Sequence, residues 1–241
     1  MGLLNELLRC REALSTFNFQ FSTFNSTRSQ SKKSIIQNNI YGVDIEKGAV
    51  DIARLRFWLS IVVDEEEASP LPNLDYKIMQ GNSLIESYKG LDLSKLTYAK
   101  KSGGHVSQYS IFEDDTKQLQ REVTQLLTQY YSCSDHDKKT DLRNKISNTI
   151  AKQLSVQNFD ADILRELRTL DLAGNDQFFL WHTWFSDVFE KGGFDIVIGN
   201  PPYVKEYTNR KAFDGFREVS PYYMGKMDLW YLFGCKAIDL V

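Results

Sequence analysis

Apolar positions first recur at helical spacing over residues 3 to 14, where Leu3, Leu4, Leu7, Leu8 and Leu14 mark one face of an amphipathic helix that starts without a cap. From 15 to 39 the chain turns to Ser, Thr, Asn and Gln with Lys32 and Lys33, which predicts a polar loop. Phe17, Phe19, Phe21 and Phe24 interrupt that polarity, so part of the loop is expected to pack. Ile40-Tyr41-Gly42-Val43-Asp44 then predicts a short strand, and Glu46 to about Glu66 a strongly apolar helix containing Ala49, Val50, Ala53, Leu55, Phe57, Trp58, Leu59 and Val62. Pro70 and Pro72 stop it, and Tyr76 to Gln80 forms a second strand ending in the turn Gly81-Asn82-Ser83-Leu84. Strand, helix and strand in this order predict a right-handed parallel crossover.

The pattern weakens between 90 and 110 and returns as two helical stretches from about Phe112 to Gln153. Leu119, Val123, Leu126, Leu127 and Tyr130 face one way on the first, and Leu142, Ile146, Ile150 and Leu154 on the second, with 132 to 137 as the turn of an antiparallel hairpin. A third helix is predicted from Asp160 to Leu170, and an aromatic, partly helical stretch from Phe178 to Glu190. Phe194-Asp195-Ile196-Val197-Ile198-Gly199 is nearly continuous in apolar residues and predicts a strand of the buried parallel type. The expected fold class is α/β, a parallel sheet with flanking helices, divided as 1–89, a mainly helical insertion at 90–177, and 178–241.

Composition changes this picture little: 42% hydrophobic and 25% charged residues in 241 positions are ordinary for a soluble globular chain. A formal net charge of -3 gives no global pull toward a polyanion, so any nucleic-acid surface is local. Cys10, Cys133 and Cys235 are odd in number and far apart, which fits neither a disulfide framework nor a metal cluster, and points to a reducing cytoplasm. Charges interrupt the apolar run at the start, so it lacks a signal-peptide core, and no other stretch is apolar for long enough to cross a bilayer.

Ligands of open parallel sheets gather at the carboxyl ends of strands, and three polar turns end the three predicted strands. Asp44 closes the first, where a carboxylate accepts from both hydroxyls of a ribose or, equally plainly, caps the next helix. Asn82 closes the second, where an amide serves an adenine edge or simply a turn after Gly81. The third, Asn200-Pro201-Pro202-Tyr203, is far more specific. Two prolines stiffen the chain and donate nothing, so the turn presents acceptors, the Asn200 amide oxygen and the Pro201 carbonyl, to one planar amino group. Two acceptors on the hydrogens of an aromatic amine favour a pyramidal, more nucleophilic nitrogen suited to attack on a sulfonium methyl. Tyr203 adds a flat face on which a base rotated out of a duplex stacks.

With Val204 after it, Ile198-Gly199-Asn200-Pro201-Pro202-Tyr203 resembles the catalytic signature of adenine-N6 DNA methyltransferases. Tyr41 to Glu46 with Ala53-Arg54-Leu55-Arg56 resembles their ribose-binding strand and helix, and Gly81 to Leu84 the turn against the cofactor's adenine. Trp181-His182 to Phe189, Gly193-Phe194-Asp195 and Asp228 to Phe233 carry the likeness toward the Eco57I class of restriction-modification enzymes, over nearly the whole chain from Tyr41. The resemblance implies a Rossmann-like methyltransferase core using S-adenosylmethionine, with Asp44, Ile45, Asn82, Ser83, Leu84 and Asn200 toward the cofactor. It implies Asn200, Pro201, Pro202 and Tyr203 as catalytic residues, and double-stranded DNA as the partner of the intact parent protein. The family's first glycine-rich turn is missing, and Met1-Gly2-Leu3-Leu4 resembles the helix after it. The chain is therefore expected to be a fragment with impaired activity, truncated before the first motif and again within a helix near Val241.

Two rival functions remain. A protein glutamine amide or an RNA guanine also offers a planar amine, and a folded but non-catalytic remnant would serve only as an interaction module. His182, in its aromatic setting, reads as a packed histidine, His105 and His136 as loop residues. Lys138, Lys139, Arg143 and Lys145 read as a solvated face that could meet a DNA backbone.

Overall fold

Two short parallel strands, β1 (Gly42–Asp44) and β2 (Ile78–Gln80), lie at the centre of the N-terminal part, with Gly42 opposite Ile78 and Asp44 opposite Gln80. Helix α3 (Lys47–Val62) connects them as the periodicity predicts. Its inward positions Val50, Ala53, Phe57 and Ile61 pack with Leu4 and Leu8 of α1 (Gly2–Phe17), and with Leu74 and Ile78. Arg54 ties the helix to the sheet: its guanidinium donates to the carbonyls of Ile78 at 2.6 Å and Asp75 at 2.9 Å.

This computed structural model describes residues 2–17, 28–65, 67, 69–94, 110–133, 135–156, 160–217 and 220–241, grouped into two compact units, Met1–Gln80 and Gly81–Val241. Residues 18–27, with Phe19, Phe21 and Phe24 of the expected packed loop, lie outside the described set. The remainder of that loop is a correction: 28–39 is helical, α2 (Arg28–Asn39). Its Ser, Gln and Asn residues favour turns, but Ile35 and Ile36 are buried in the core. The Lys32 ammonium is buried too and meets Asp64 at 2.6 Å and the Ser60 carbonyl at 2.7 Å. Tertiary burial overrides the weak local preference.

In the second unit, β3 (Ser87–Tyr88) and β4 (Leu91–Asp92) form a small antiparallel hairpin. Its two turn residues, Lys89 at φ 49° and Gly90 at φ 81°, both take the left-handed conformation that matches strand twist. Helices α4 (Ser110–Ser132) and α5 (His136–Val156) make the expected hairpin. Val123, Leu127 and Tyr130 of the first and Leu142, Ile146, Ile150 and Leu154 of the second are buried. Buried polar groups run through this packing: Gln153 donates to Gln120 at 3.0 Å, and Gln120 donates to the Thr183 carbonyl at 3.2 Å. Asp160 caps α6 (Ala161–Leu167), its carboxylate accepting from the N–H of Asp162 at 2.9 Å.

The aromatic stretch that follows breaks into two short helices, α7 (Trp181–Trp184) and α8 (Ser186–Phe189). Helix α9 (Leu229–Leu240) is the last element. The strand expected at 194–199 is not one. Among the described residues no strand pairs with it, and Ile196 and Ile198 are 61% and 70% exposed. No described helix is long and apolar enough to cross a membrane.

Candidate active site

Helix α9 holds both ends of the segment that carries residues 200–203. At one end Phe194 donates its N–H to the Leu240 carbonyl at 2.8 Å; at the other, Leu229 donates to the Val204 carbonyl at 2.8 Å. The first anchor requires Gly193, at φ 111°, because a Cβ there would lie 2.6 Å from the Val241 carbonyl carbon. Phe194 also sets its ring edge-on against Trp181, Phe185 and Phe189, at centroid distances of 6.2, 6.0 and 5.8 Å. The second anchor is reinforced by Glu206 donating to the Met227 carbonyl at 3.1 Å and by an antiparallel bridge between Lys205 and Asp228.

The anchors explain the failed strand. A helix of 12 residues is about 18 Å long, whereas the chain from 194 to 204 could reach roughly 33 Å if extended. The segment therefore bows away from the helix. Asn200 and Pro202 are exposed, Pro201 is half-buried, and Tyr203 is 92% exposed. Val204 donates its N–H to the Pro202 carbonyl at 2.9 Å, closing a three-residue turn with Tyr203 at its apex. Tyr203 is not among the residues of positive φ, so this is the relaxed form of that turn, and it directs the ring outward.

The turn Gly81-Asn82-Ser83-Leu84 belongs to the same unit and is fixed from two sides. Gly81 lies against Phe179 so closely that a Cβ would come within 2.5 Å of the ring. Ser83 accepts the indole N–H of Trp181 at 2.9 Å. Within the turn, Asn82 Oδ1 accepts from the N–H of Leu84 at 3.2 Å, so the amide oxygen serves the turn, and Nδ2 is the group it can present. Leu84, Ile85 and Val204 all pack against one buried cluster of Phe213, Phe216, Leu229 and Leu232. Two of the three turns singled out in the sequence thus rest on a common core.

Asp44 and Ile45 sit in the other unit. Asp44 is exposed at the end of β1, and its Oδ1 accepts the N–H of Glu46 at 2.8 Å in an Asx turn ahead of α3, so it does not cap that helix, whose N-cap position is Glu46. Ile45 is exposed, and its carbonyl accepts from the Gln80 side chain at 3.1 Å. These residue types fit an adenosine-bearing cofactor: an exposed carboxylate with Oδ2 available to hydroxyls, and an exposed apolar side chain beside it for a base.

Two carboxylates of the second unit, Glu206 buried and Glu86 nearly so, pair with charged partners, and the sequence pattern points to neither. Glu206 accepts from the Tyr223 hydroxyl and from the Lys226 N–H at 2.6 Å, and forms an ion pair with Arg217 at 3.3 Å. The Tyr223 hydrogen bond, with help from the Lys226 N–H and the Arg217 charge, holds its carboxyl below the ordinary range. Lys226 itself adopts φ 53°, uncommon for a residue with a Cβ, and the Glu206 bond fixes it there. Glu86 accepts from the Trp181 N–H at 3.1 Å and pairs with Lys236 at 2.5 Å and His182 at 3.4 Å. Burial pushes this carboxyl up, but His182 and Lys236 outweigh burial and leave it below its usual value. His182 is half-buried, with its ring 4.1 Å from that of Phe189, as expected of a packed histidine.

Residues 38–241 match the family described as Eco57I restriction-modification methylase. The chain belongs to that family. The matched stretch contains both turns, the 194–204 segment, Asp44, Glu86 and Glu206. Over 221 residues the chain is also 28% identical to a Methanocaldococcus jannaschii protein assigned by name to type II restriction enzymes and methyltransferases. That alignment takes in 71% of this chain but 18% of the relative, so the Eco57I-family chain described here spans less than a fifth of that protein. No solved structure matches.

The signal for Glu206 was present in the period-two placement of Val204 and Glu206 on one face, hidden because Lys-Glu-Tyr reads as charged surface. For Glu86 no local pattern points inward, since His182 and Lys236 come from elements far along the chain.

Proposed function

We propose that this chain carries the catalytic portion of an adenine-N6 DNA methyltransferase of a restriction-modification system. The observation that carries the reading is the shared core under Leu84 and Val204, which joins the turn suited to an adenosine to the turn suited to a planar amine. Family membership supports the methyltransferase class.

S-adenosylmethionine supplies an electrophilic methyl group when bound. Asp44, with Ile45 beside it, is the candidate for its ribose hydroxyls, and Asn82, Ser83 and Leu84 are the candidates for its adenine. Asn200 Oδ1 and the Pro201 carbonyl accept the two hydrogens of the target amine and localise its lone pair. Tyr203 stacks on the extruded base, and its outward pose in the turn means that little reorientation is needed. With both amine hydrogens held by these acceptors the lone pair stays free to meet the methyl group the cofactor would supply, so no side-chain base would be required beforehand.

The test is tritiated methyl transfer by the full-length protein, offered DNA, RNA and protein in parallel. Label should appear in DNA as N6-methyladenine, and Asn200→Ala should lower the rate by about 100-fold or more, the scale of losing a positioned polar group at a reacting centre. Label in RNA or in protein glutamine, or undiminished adenine methylation by the variant, would overturn the assignment.

A further inference from the structure

Beyond Tyr203 the chain alternates in a way that the chemistry of the target base leaves unexplained. Val204 is half-buried on the Phe213 cluster and Glu206 is buried, while Tyr203, Lys205 and Tyr207 are exposed, the two tyrosines at 92% and 81%. Lys205 bridges Asp228 between two turns: Tyr203 is the apex of the first, and the second runs through 206–208, with Thr208 and Asn209 donating their N–H groups to the Lys205 carbonyl at 3.1 and 3.0 Å. The Glu206 hydrogen bonds hold the second turn down, and the two turns with the bridge between them leave Tyr203, Lys205 and Tyr207 in solvent. The Lys205 ammonium lies 6.0 Å from the centroid of the Tyr207 ring.

The surroundings have the same character. Trp230 and Tyr231 stack at 3.9 Å at the start of α9, immediately after the Leu229 to Val204 hydrogen bond, and both rings are exposed. Arg210, Lys211 and Lys226 are exposed, with Asp214 the exposed acid among them, whereas Glu206, next to Lys205 in sequence, is turned inward and neutralised by its partners. In a chain of net charge -3 this is a local surface of cations and flat rings. Exposed rings gain nothing from folding, and aromatic faces interleaved with cations suit a single nucleic-acid strand, whose bases stack and whose phosphates pair with ammonium groups.

We propose that Lys205 and Tyr207 hold the DNA strand that carries the target base, Lys205 on its phosphodiester and Tyr207 against the face of a neighbouring unpaired base. The inference rests on the DNA reading above and extends it from the target base to the adjoining nucleotides. It assigns Tyr203 and Tyr207 to different bases, with Glu206 as the positioning residue beneath both.

The experiment is fluorescence anisotropy of a labelled single-stranded DNA 12-mer, with the same sequence as RNA and as a fully paired duplex for comparison, across a salt series. Circular dichroism checks each variant's fold, and Lys117→Ala, an exposed lysine on α4, serves as the control cation. Tyr207→Ala should weaken single-strand binding by about 5- to 100-fold, the range of one lost base–aromatic stack, and Tyr207→Phe should restore it. Lys205→Ala should make the slope of log affinity against log salt shallower by about 0.7, one phosphate contact on a single strand. Binding by the parent chain with no response to either variant overturns this inference and leaves the methyltransferase reading standing. Failure to bind DNA of any form counts against both. Tighter binding to RNA with the same two variants sensitive overturns DNA as the partner.

Discussion

The indole N–H of Trp181 meets the Ser83 carbonyl at 2.9 Å, and the backbone N–H of the same residue meets Glu86 at 3.1 Å. One tryptophan therefore braces the turn at 81–84 from the aromatic segment that also receives Phe194. Trp181→Phe keeps the packing and leaves the Ser83 carbonyl without its donor. It should destabilise the protein by about 1–2 kcal/mol in urea unfolding. Hydrogen exchange should rise first at 82–85, and uniform exchange across the unit would show that the indole bond does not serve this turn.

At Gly81 the neighbour is a ring rather than a hydrogen-bond partner. The Cβ of Gly81→Ala would sit 2.5 Å from Phe179 Cδ2, and Phe179 is itself buried with little room to move. Overpacking of this kind costs about 1–3 kcal/mol. Phe179→Leu combined with Gly81→Ala should recover part of that loss in a double-mutant cycle. Additive effects would place the strain elsewhere.

Acid should release the Glu206 brace. Its folded carboxyl titrates below the ordinary 4.5 because the Tyr223 hydrogen bond leads the interactions that favour the ionised form. The stability it contributes is thus present above pH about 4.5 and is lost as pH falls through the lower, folded value. Glu206→Gln should flatten the acid limb of a thermal-melting profile below that pH. The signature is specific, because at neutral pH the variant should lose stability and below the folded value it should nearly match the parent. A constant offset at every pH would contradict it.

For the buried Gln153 and Gln120 pair, changing one partner should cost more than changing both. Gln153→Ala removes the donor to Gln120 at 3.0 Å and opens space beside a buried amide, for a loss of about 1–3 kcal/mol. Replacing both with Leu should recover most of it, apart from the bond from Gln120 to Thr183. Denaturant midpoints of the parent and the two variants decide the matter, and a double variant no more stable than Gln153→Ala would contradict it.

Sequence and structure agree where the deciding forces are local or strictly periodic. The stripes Val123, Leu127, Tyr130 and Leu142, Ile146, Ile150, Leu154 announced the helical hairpin because burial follows the helical period. The parallel pair β1 and β2 was visible for similar reasons. Helix α2 was hidden, since its polar residues favour turns and only contacts of Lys32, Ile35 and Ile36 with distant elements make it helical. The stretch 194–199 misled because an apolar run fits either a buried strand or a tethered span. What distinguishes them is the position of Leu229 and Leu240, which no window around Ile196 contains. Of the candidate site, the residue types at 44, 82 and 200–203 were legible. Its supports at Trp181, Glu86 and Glu206 were not, because each acts through partners remote in sequence or through a face that looks like surface.

The double attachment of the 194–204 segment makes α9 a ruler. Chord length fixes the height of an arc, so the reach of Asn200 and Tyr203 into solvent is set by how many turns of helix separate Leu229 from Leu240. A substitution far from the arc that unwinds the last turn of α9 would lengthen or release the chord and lower the crown of the arch. The apparatus for grasping a base is thereby tuned by a helix that never has to touch one.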